Sequence, residues 1–169
     1  MILIALGANL TSQVGPPAAT LTAALNMFAR MGATPLAVSH FYETEAWPDP
    51  NDPPYVNAVA RIETKLGPAE LMTMLQVVEN SFGRVRCTRN APRTLDLDLL
   101  DYDGLIQAGP PLLPHPRMEI RGFVLVPLAD VAPDWRHPIS GRSVCELIGA
   151  LPESEQGLSC IDQARLGPY

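Results

Sequence analysis

The chain has 169 residues, 47% of them hydrophobic, which suffices for one continuous core and suits a single domain spanning 1–169. Twelve Lys and Arg against 18 Asp and Glu give a formal net charge of −6, a mean field that repels DNA, RNA and anionic membrane. Any phosphate the protein binds must therefore be gripped by a local cluster of cations.

Cys87, Cys145 and Cys160 are an odd number without Cys-x-x-Cys spacing, which argues against a disulfide framework or a zinc site and for free thiols in a reducing, cytoplasmic setting. The opening Met1 to Gly7 has no basic leader and too short an apolar run for a signal peptide or membrane span, and it reads as a first strand over 2–6. After a turn at Gly7-Ala8-Asn9, the pair Pro16-Pro17 marks a helix start. Leu21, Ala24, Leu25 and Phe28 give that helix one apolar face, and Gly32 stops it.

Residues 35–46 and 55–64 are rich in β-branched and aromatic residues and read as strands. The segment from Trp47 to Pro54 between them holds four prolines and must be a loop. Gly67-Pro68 opens a second helix with apolar Leu71, Leu75, Val78 and Phe82, ended by Gly83. A polar turn then leads to a strand over Thr94–Tyr102. The order strand, helix, strand, strand, helix, strand predicts an α+β fold with a ferredoxin-like βαββαβ core and C-terminal additions, both helices lying on one face of an antiparallel sheet. Residues 104–150, with an apolar run at 123–128 and a short helix at 144–151, are expected around the sheet edge, and 152–169 as a mobile tail.

The strongest chemical signal runs from Gly83 to Asp98. It contains Arg84, Arg86, Arg89 and Arg93 in ten residues of an acidic protein, a concentration that calls for an anion. Alternation along the following strand puts Leu95, Leu97 and Leu99 on one face and Asp96 and Asp98 on the other, with the two aspartate Cα atoms roughly 6 to 7 Å apart. Two carboxylates so placed suit one or two Mg²⁺ ions, which take few protein ligands and leave other positions to substrate phosphates. The alternative is a solvated strand face paired with the arginines; the further acidity of Asp101 and Asp103 weighs towards cations. Lys65 is the only lysine and no P-loop motif occurs, so arginine must supply the phosphate clamp.

Weaker signals join these. Tyr55 and Asn57 share one strand face, an aromatic plane beside an amide that suits a flat heterocycle, although either residue is also common in packing and turns. Gln76 and Glu79 lie three apart on the second helix. Prolines flank His115, with Arg117, Arg121 and Phe123 close behind.

Taken together, Gly7 to Leu10, Phe41 to Thr44, Tyr55 to Asn57, Glu79 to Arg86, Pro92 to Asp98, Leu113 to Met118 and Arg121 to Leu128 resemble the 6-hydroxymethyl-7,8-dihydropterin pyrophosphokinases. Arg-Thr-Leu-Asp-Leu-Asp followed by Pro-His-Pro-Arg-Met is a specific pairing. The resemblance implies transfer of pyrophosphate from ATP to the hydroxymethyl group of the reduced pterin, releasing AMP, in folate biosynthesis. It implies that Asp96 and Asp98 hold two Mg²⁺ and, with Arg84 and Arg93, form the catalytic set. Gln76, Glu79, Arg84, Arg93, His115 and Arg121 would bind ATP. Tyr55 and Phe123 would sandwich the pterin while Asn57 and the chain around Thr44 to Trp47 read its edge. Cys87 and Asn90 depart from the family's pattern in the arginine loop, Pro110 to Leu112 replace polar residues that face the nucleotide in some members, and Pro116 replaces an aromatic, so no role is implied for those prolines and Leu112. The expected partners are small molecules only, ATP and the pterin, with no nucleic acid, no membrane and a monomeric state. A binding module for RNA or an acidic protein, and a different pterin enzyme such as an aldolase, are the rival readings.

Overall fold

A computed structural model describes residues 1–46, 49–83 and 92–161. The elements are β1 (Ile2–Ala8), α1 (Pro17–Arg30), β2 (Ala33–Val38), β3 (Phe41–Thr44), β4 (Tyr55–Thr64), α2 (Pro68–Ser81), β5 (Asp96–Tyr102), α3 (Gly122–Val131), α4 (Val144–Gly149), α5 (Glu153–Gln156) and β6 (Ser159–Ile161). Among the described residues the strands form one sheet in the order β5-β1-β4-β3-β6, with β2 also against β4. Every pairing is antiparallel, so the architecture is an antiparallel sheet with helices, compatible with α+β.

Both long helices begin and end as the punctuation dictates. Pro17 and Pro68 sit at first helical positions, where no intrahelical N–H is required. Glu70 reaches back to accept the Gly67 N–H at 2.8 Å, and Gly32 and Gly83 leave the two helices at φ 86° and 78°, a conformation costly for any side chain. Leu21, Leu25 and Phe28 of α1 and Leu71, Leu75 and Val78 of α2 pack with Ile4, Leu6, Val56 and Leu97 into a core on the first face of the sheet.

The expected strand over 35–46 is broken at Ser39-His40. Val59 N–H donates to the Ser39 hydroxyl at 3.0 Å while Ser39 N–H donates to Val59 C=O at 2.9 Å. A side chain thus substitutes for a ladder carbonyl, and the strand bends there into β2 and β3.

The placement of 104–150 around the sheet edge needs correction. The run at 123–128 is part of helix α3, which packs on the second face against β4. Val124, Leu125, Leu128, Trp135 and Leu147 bury Leu3, Val59 and Leu100 in a second core. The physical reason lies in the sheet itself, since those three outward-facing residues are apolar and require cover. Within the segment expected as a tail, α5 precedes β6, and β6 pairs along β3.

Candidate active site

The second face of the sheet is apolar at one end and polar at the other, and α3 covers only the apolar end. Strand register sets this out row by row. Ala5 of β1, packed against the second core, stands between Val59 and Asp98. Two residues on, Gly7 stands between Asn57 and Asp96. Since residues two apart share a face, Asn57, Gly7 and Asp96 form one row, with Asp98 beside it.

Neighbouring strands are about 4.8 Å apart, so Asn57 and Asp96 are separated by roughly 10 Å across Gly7. Nothing rises between them because the central residue has no side chain. A Cβ on Gly7 would lie 3.2 Å from Asn57 Oδ1.

The aspartates are held by their surroundings. Arg93 Nη1 bonds Asp96 Oδ2 at 2.8 Å, with the two side chains 20% and 27% exposed. Between the aspartates, Leu97 N–H donates to Glu79 Oε1 at 2.8 Å. β5 ends the sheet on that side, and the buried Glu79 carboxylate takes the place of a neighbouring strand's carbonyl. Glu79 therefore braces the Asp-Leu-Asp strand from α2, whereas Gln76 on the same helix is exposed.

His115 reaches the site because its N–H donates to Leu100 C=O at 2.8 Å, laying its loop along β5. Its Nε2 stands 4.0 Å from Asp98 Oδ2, and its Nδ1 accepts from Arg117 N–H at 3.3 Å. Burial, more than the opposing pull of Asp98, holds its pKa below the ordinary histidine value, and Arg121 and Arg117 add to the lowering. That direction favours the neutral ring at neutral pH. With Nδ1 accepting, its proton is on Nε2, on the side of Asp98. Arg121 is likewise lowered, first by burial and then by Arg117, against Asp98 and Asp96. Its guanidinium lies 5.4 Å from the Phe123 ring centroid, so two residues expected to serve different substrates touch.

Across the row, Asn57 Nδ2 donates to Thr44 Oγ1 at 2.8 Å, and Tyr55 pairs with Thr44 in register. The structure thus brings Arg93, Asp96, Asp98, His115, Arg121, Asn57, Thr44, Tyr55 and Phe123 to one face of the sheet or its margin. Arg84 and Trp47, with Arg86, Cys87, Arg89 and Asn90, lie outside the described residues.

Two site features had no role assigned from the sequence. Asn9, 3% exposed, accepts from Arg93 N–H at 2.8 Å and donates to Pro53 C=O at 3.1 Å, tying the first turn to Arg93 and to the proline-rich loop. A cleft of about 540 Å³ opens beside Asp98 and His115, walled by Met72, Leu99, Pro110, Pro111 and Pro116. Its apolar walls meet a polar end, the arrangement of a small-molecule site. Asp101 and Asp103 do not add to the acidity of a cation site. Asp101 is buried and accepts from Trp135 Nε1 at 2.7 Å and from Gly104 N–H at 3.0 Å, and Asp103 pairs with the Met1 amino group. Both have structural partners, which leaves Asp96 and Asp98 as the acidic pair of the site.

A family model described as 7,8-dihydro-6-hydroxymethylpterin-pyrophosphokinase matches residues 3–133. The chain belongs to this pyrophosphokinase family. A protein of Pseudomonas aeruginosa named 2-amino-4-hydroxy-6-hydroxymethyldihydropteridine pyrophosphokinase is 43% identical over 153 residues, covering 89% of this chain and 91% of that one. Proteins of the same name from Haemophilus influenzae and Synechocystis sp. are 43% and 38% identical over 147 residues each, which is 86% of this chain in both cases and 89% and 73% of theirs. The pyrophosphokinase match takes in β1 through α3, and hence every row and loop of the site.

Proposed function

We propose that the protein transfers the pyrophosphoryl group of ATP to the hydroxymethyl oxygen of 6-hydroxymethyl-7,8-dihydropterin, releasing AMP, as a step in folate biosynthesis. The observation that carries this reading is the row Asn57-Gly7-Asp96, an amide and a carboxylate facing each other over a bare glycine. A bicyclic heterocycle with its exocyclic substituent spans that separation. It would be read at the Asn57 end while its hydroxyl meets the phosphates at the aspartate end. Membership of the pyrophosphokinase family supports the same assignment.

In this reading the pterin ring rests between Tyr55 and Phe123, with Asn57 and the chain around Thr44 and Trp47 at its edge. ATP lies along β5, its base in the apolar cleft beside Met72 and Leu99 and its phosphates towards Arg84, Arg93, His115 and Arg121, with Gln76 at the margin. The hydroxymethyl oxygen attacks the β-phosphorus in line. A carbon-oxygen-phosphorus bridge forms as the bond from the β-phosphorus to the α,β-bridging oxygen breaks; AMP carries that oxygen away, and the hydroxyl proton is released to solvent. Arg93, Arg121 and the Nε2–H of His115 offset negative charge on the transferred group, so positioning and electrostatics carry most of the rate.

The pair of aspartates fits Mg²⁺. Both offer hard oxygen donors, both are partly exposed beside the cleft (27% and 39% for the side chains), and the ion asks for few protein ligands when phosphates supply the rest. Asp96 and Asp98 would hold two ions, which when bound neutralise phosphate charge. The fold in this reading is a ferredoxin-like core in which β2 and β3 are one interrupted strand, with α3 to β6 as additions. The single domain works as a cytoplasmic monomer. Among the described residues no helix is long and apolar enough to cross a membrane.

Titration calorimetry of a non-hydrolysable ATP analogue, with and without Mg²⁺ and then with the reduced pterin, tests the order of events. Nucleotide binding that requires Mg²⁺ and then admits the pterin is the expected result. Pterin binding of equal strength without nucleotide, or no nucleotide binding at millimolar concentration, would contradict the assignment.

A further inference from the structure

The segment that follows α4 lies beyond residue 133, where the family model's match ends, yet it touches both the start of α3 and the β3 edge of the sheet. Glu155, on α5, accepts the Gly122 N–H through Oε2 at 2.9 Å. The contact is close enough that a Cβ on Gly122 would lie 1.9 Å from the Glu155 carbonyl oxygen. No residue but glycine fits there without displacing α5. Gly122 is the first residue of α3, so its N–H belongs to the set that the helix cannot satisfy internally, and a carboxylate is a favoured partner at that end.

The neighbours of Gly122 in sequence are Arg121 and Phe123, the pair in contact at 5.4 Å. A few residues beyond Glu155, β6 pairs with the outer edge of β3, with Ser159 opposite Glu43 and Cys160 opposite Tyr42. The next residue of β3, Thr44, accepts the Asn57 amide. One short arm thus joins the start of α3 to the strand that supports the far margin.

We infer that residues 153–161 are a positioning brace that sets the separation of the start of α3 from β3, with Glu155 as the positioning residue for Arg121 and Phe123. This rests on the assignment of those two residues to ATP and the pterin given above. Without the bond from Glu155 the first turn of α3 frays, and the ring and guanidinium lose their fixed approach. Glu155 itself touches neither substrate.

Steady-state kinetics on the full chain, with thermal unfolding in parallel, test the inference. Glu155→Ala is expected to raise the pterin KM about tenfold, the order of one lost charge-assisted hydrogen bond. Glu155→Gln, whose amide oxygen still accepts the Gly122 N–H, stays within about twofold of the parent on the same scale. Gly122→Ala drives the arm off and raises the pterin KM as Glu155→Ala does. The double variant is no worse than Gly122→Ala alone, because both changes break one contact. An unchanged pterin KM in Glu155→Ala, or a lowered melting temperature with no KM effect, overturns the brace. Phe123→Ala separates the two levels. If it leaves the pterin KM unchanged, the assignment of Phe123 to the pterin fails and the brace with it; if it is impaired while Glu155→Ala is not, the brace alone fails.

Discussion

Replacing Gly7 tests the floor of the site without touching any group proposed to act in the chemistry. In Gly7→Ala the new methyl stands 3.2 Å from Asn57 Oδ1, a few tenths of an ångström inside ordinary contact. Asn57 must give way, and its 2.8 Å bond to Thr44 loosens with it. The loss is of the order of one neutral hydrogen bond, about 1 kcal/mol, which is about fivefold in pterin affinity. Gly7→Val sets two more methyl groups between Asn57 and Asp96, where the heterocycle is to lie. Overpacking there costs about 3 kcal/mol, or more than about 100-fold. The fold should survive both changes, because Gly7 is partly exposed on this stretch of the second face and lies outside the second core under α3. The assay is pterin binding in the presence of a non-hydrolysable ATP analogue, with thermal unfolding alongside. A Val variant that binds pterin like the parent, or one whose lost affinity is matched by unfolding, would refute the placement of the ring over Gly7.

Other expectations follow from the same geometry. Asp98→Asn should lower kcat by about 10²- to 10³-fold, the scale of removing one preorganised electrostatic group, while leaving the melting temperature near that of the parent, since the side chain is 39% exposed. Asn9→Ala removes acceptor and donor at once, leaving Arg93 N–H without that partner; a loss of about 1 to 3 kcal/mol of stability is expected by urea titration, with kcat falling as Arg93 loosens. Stability at high pH should depend on Tyr42, whose hydroxyl donates to Asp130 Oδ2 at 3.0 Å and whose pKa is pushed up to about 12, first by burial and then by Asp130. The unfolded tyrosine ionises near 10, so the contribution is intact below that pH and is lost as pH rises through the folded value. Urea midpoints for the parent should fall between about pH 10 and 12 more steeply than those of Tyr42→Phe, and parallel curves would count against the Asp130 contact.

The parts legible from sequence were those written in a local period. Leu95, Leu97 and Leu99 alternating with Asp96 and Asp98 put the carboxylates on the outer face, and four apolar positions on α1 and three on α2, with Phe82 just past its end, pack into the first core. What escaped the sequence was set by partners distant in the chain. Gly7 reads as a turn glycine until register places it between Asn57 and Asp96. Asp101 reads as one more acidic residue of a cation site, yet it answers the indole of Trp135, 34 residues away. The second core was hidden because α3 is apolar nearly all round and carries Pro127, so neither a helical stripe nor an unbroken propensity marks it. The split of β2 from β3 turns on one serine hydroxyl, which no periodicity records.

Phosphorus NMR of the products formed from ATP and 6-hydroxymethyl-7,8-dihydropterin with Mg²⁺ present reads the transfer itself. Pyrophosphoryl transfer predicts AMP and a pterin diphosphate in equal amounts, with no ATP consumed when the pterin is omitted. Formation of ADP, release of free phosphate, or ATP consumption independent of the pterin would contradict it.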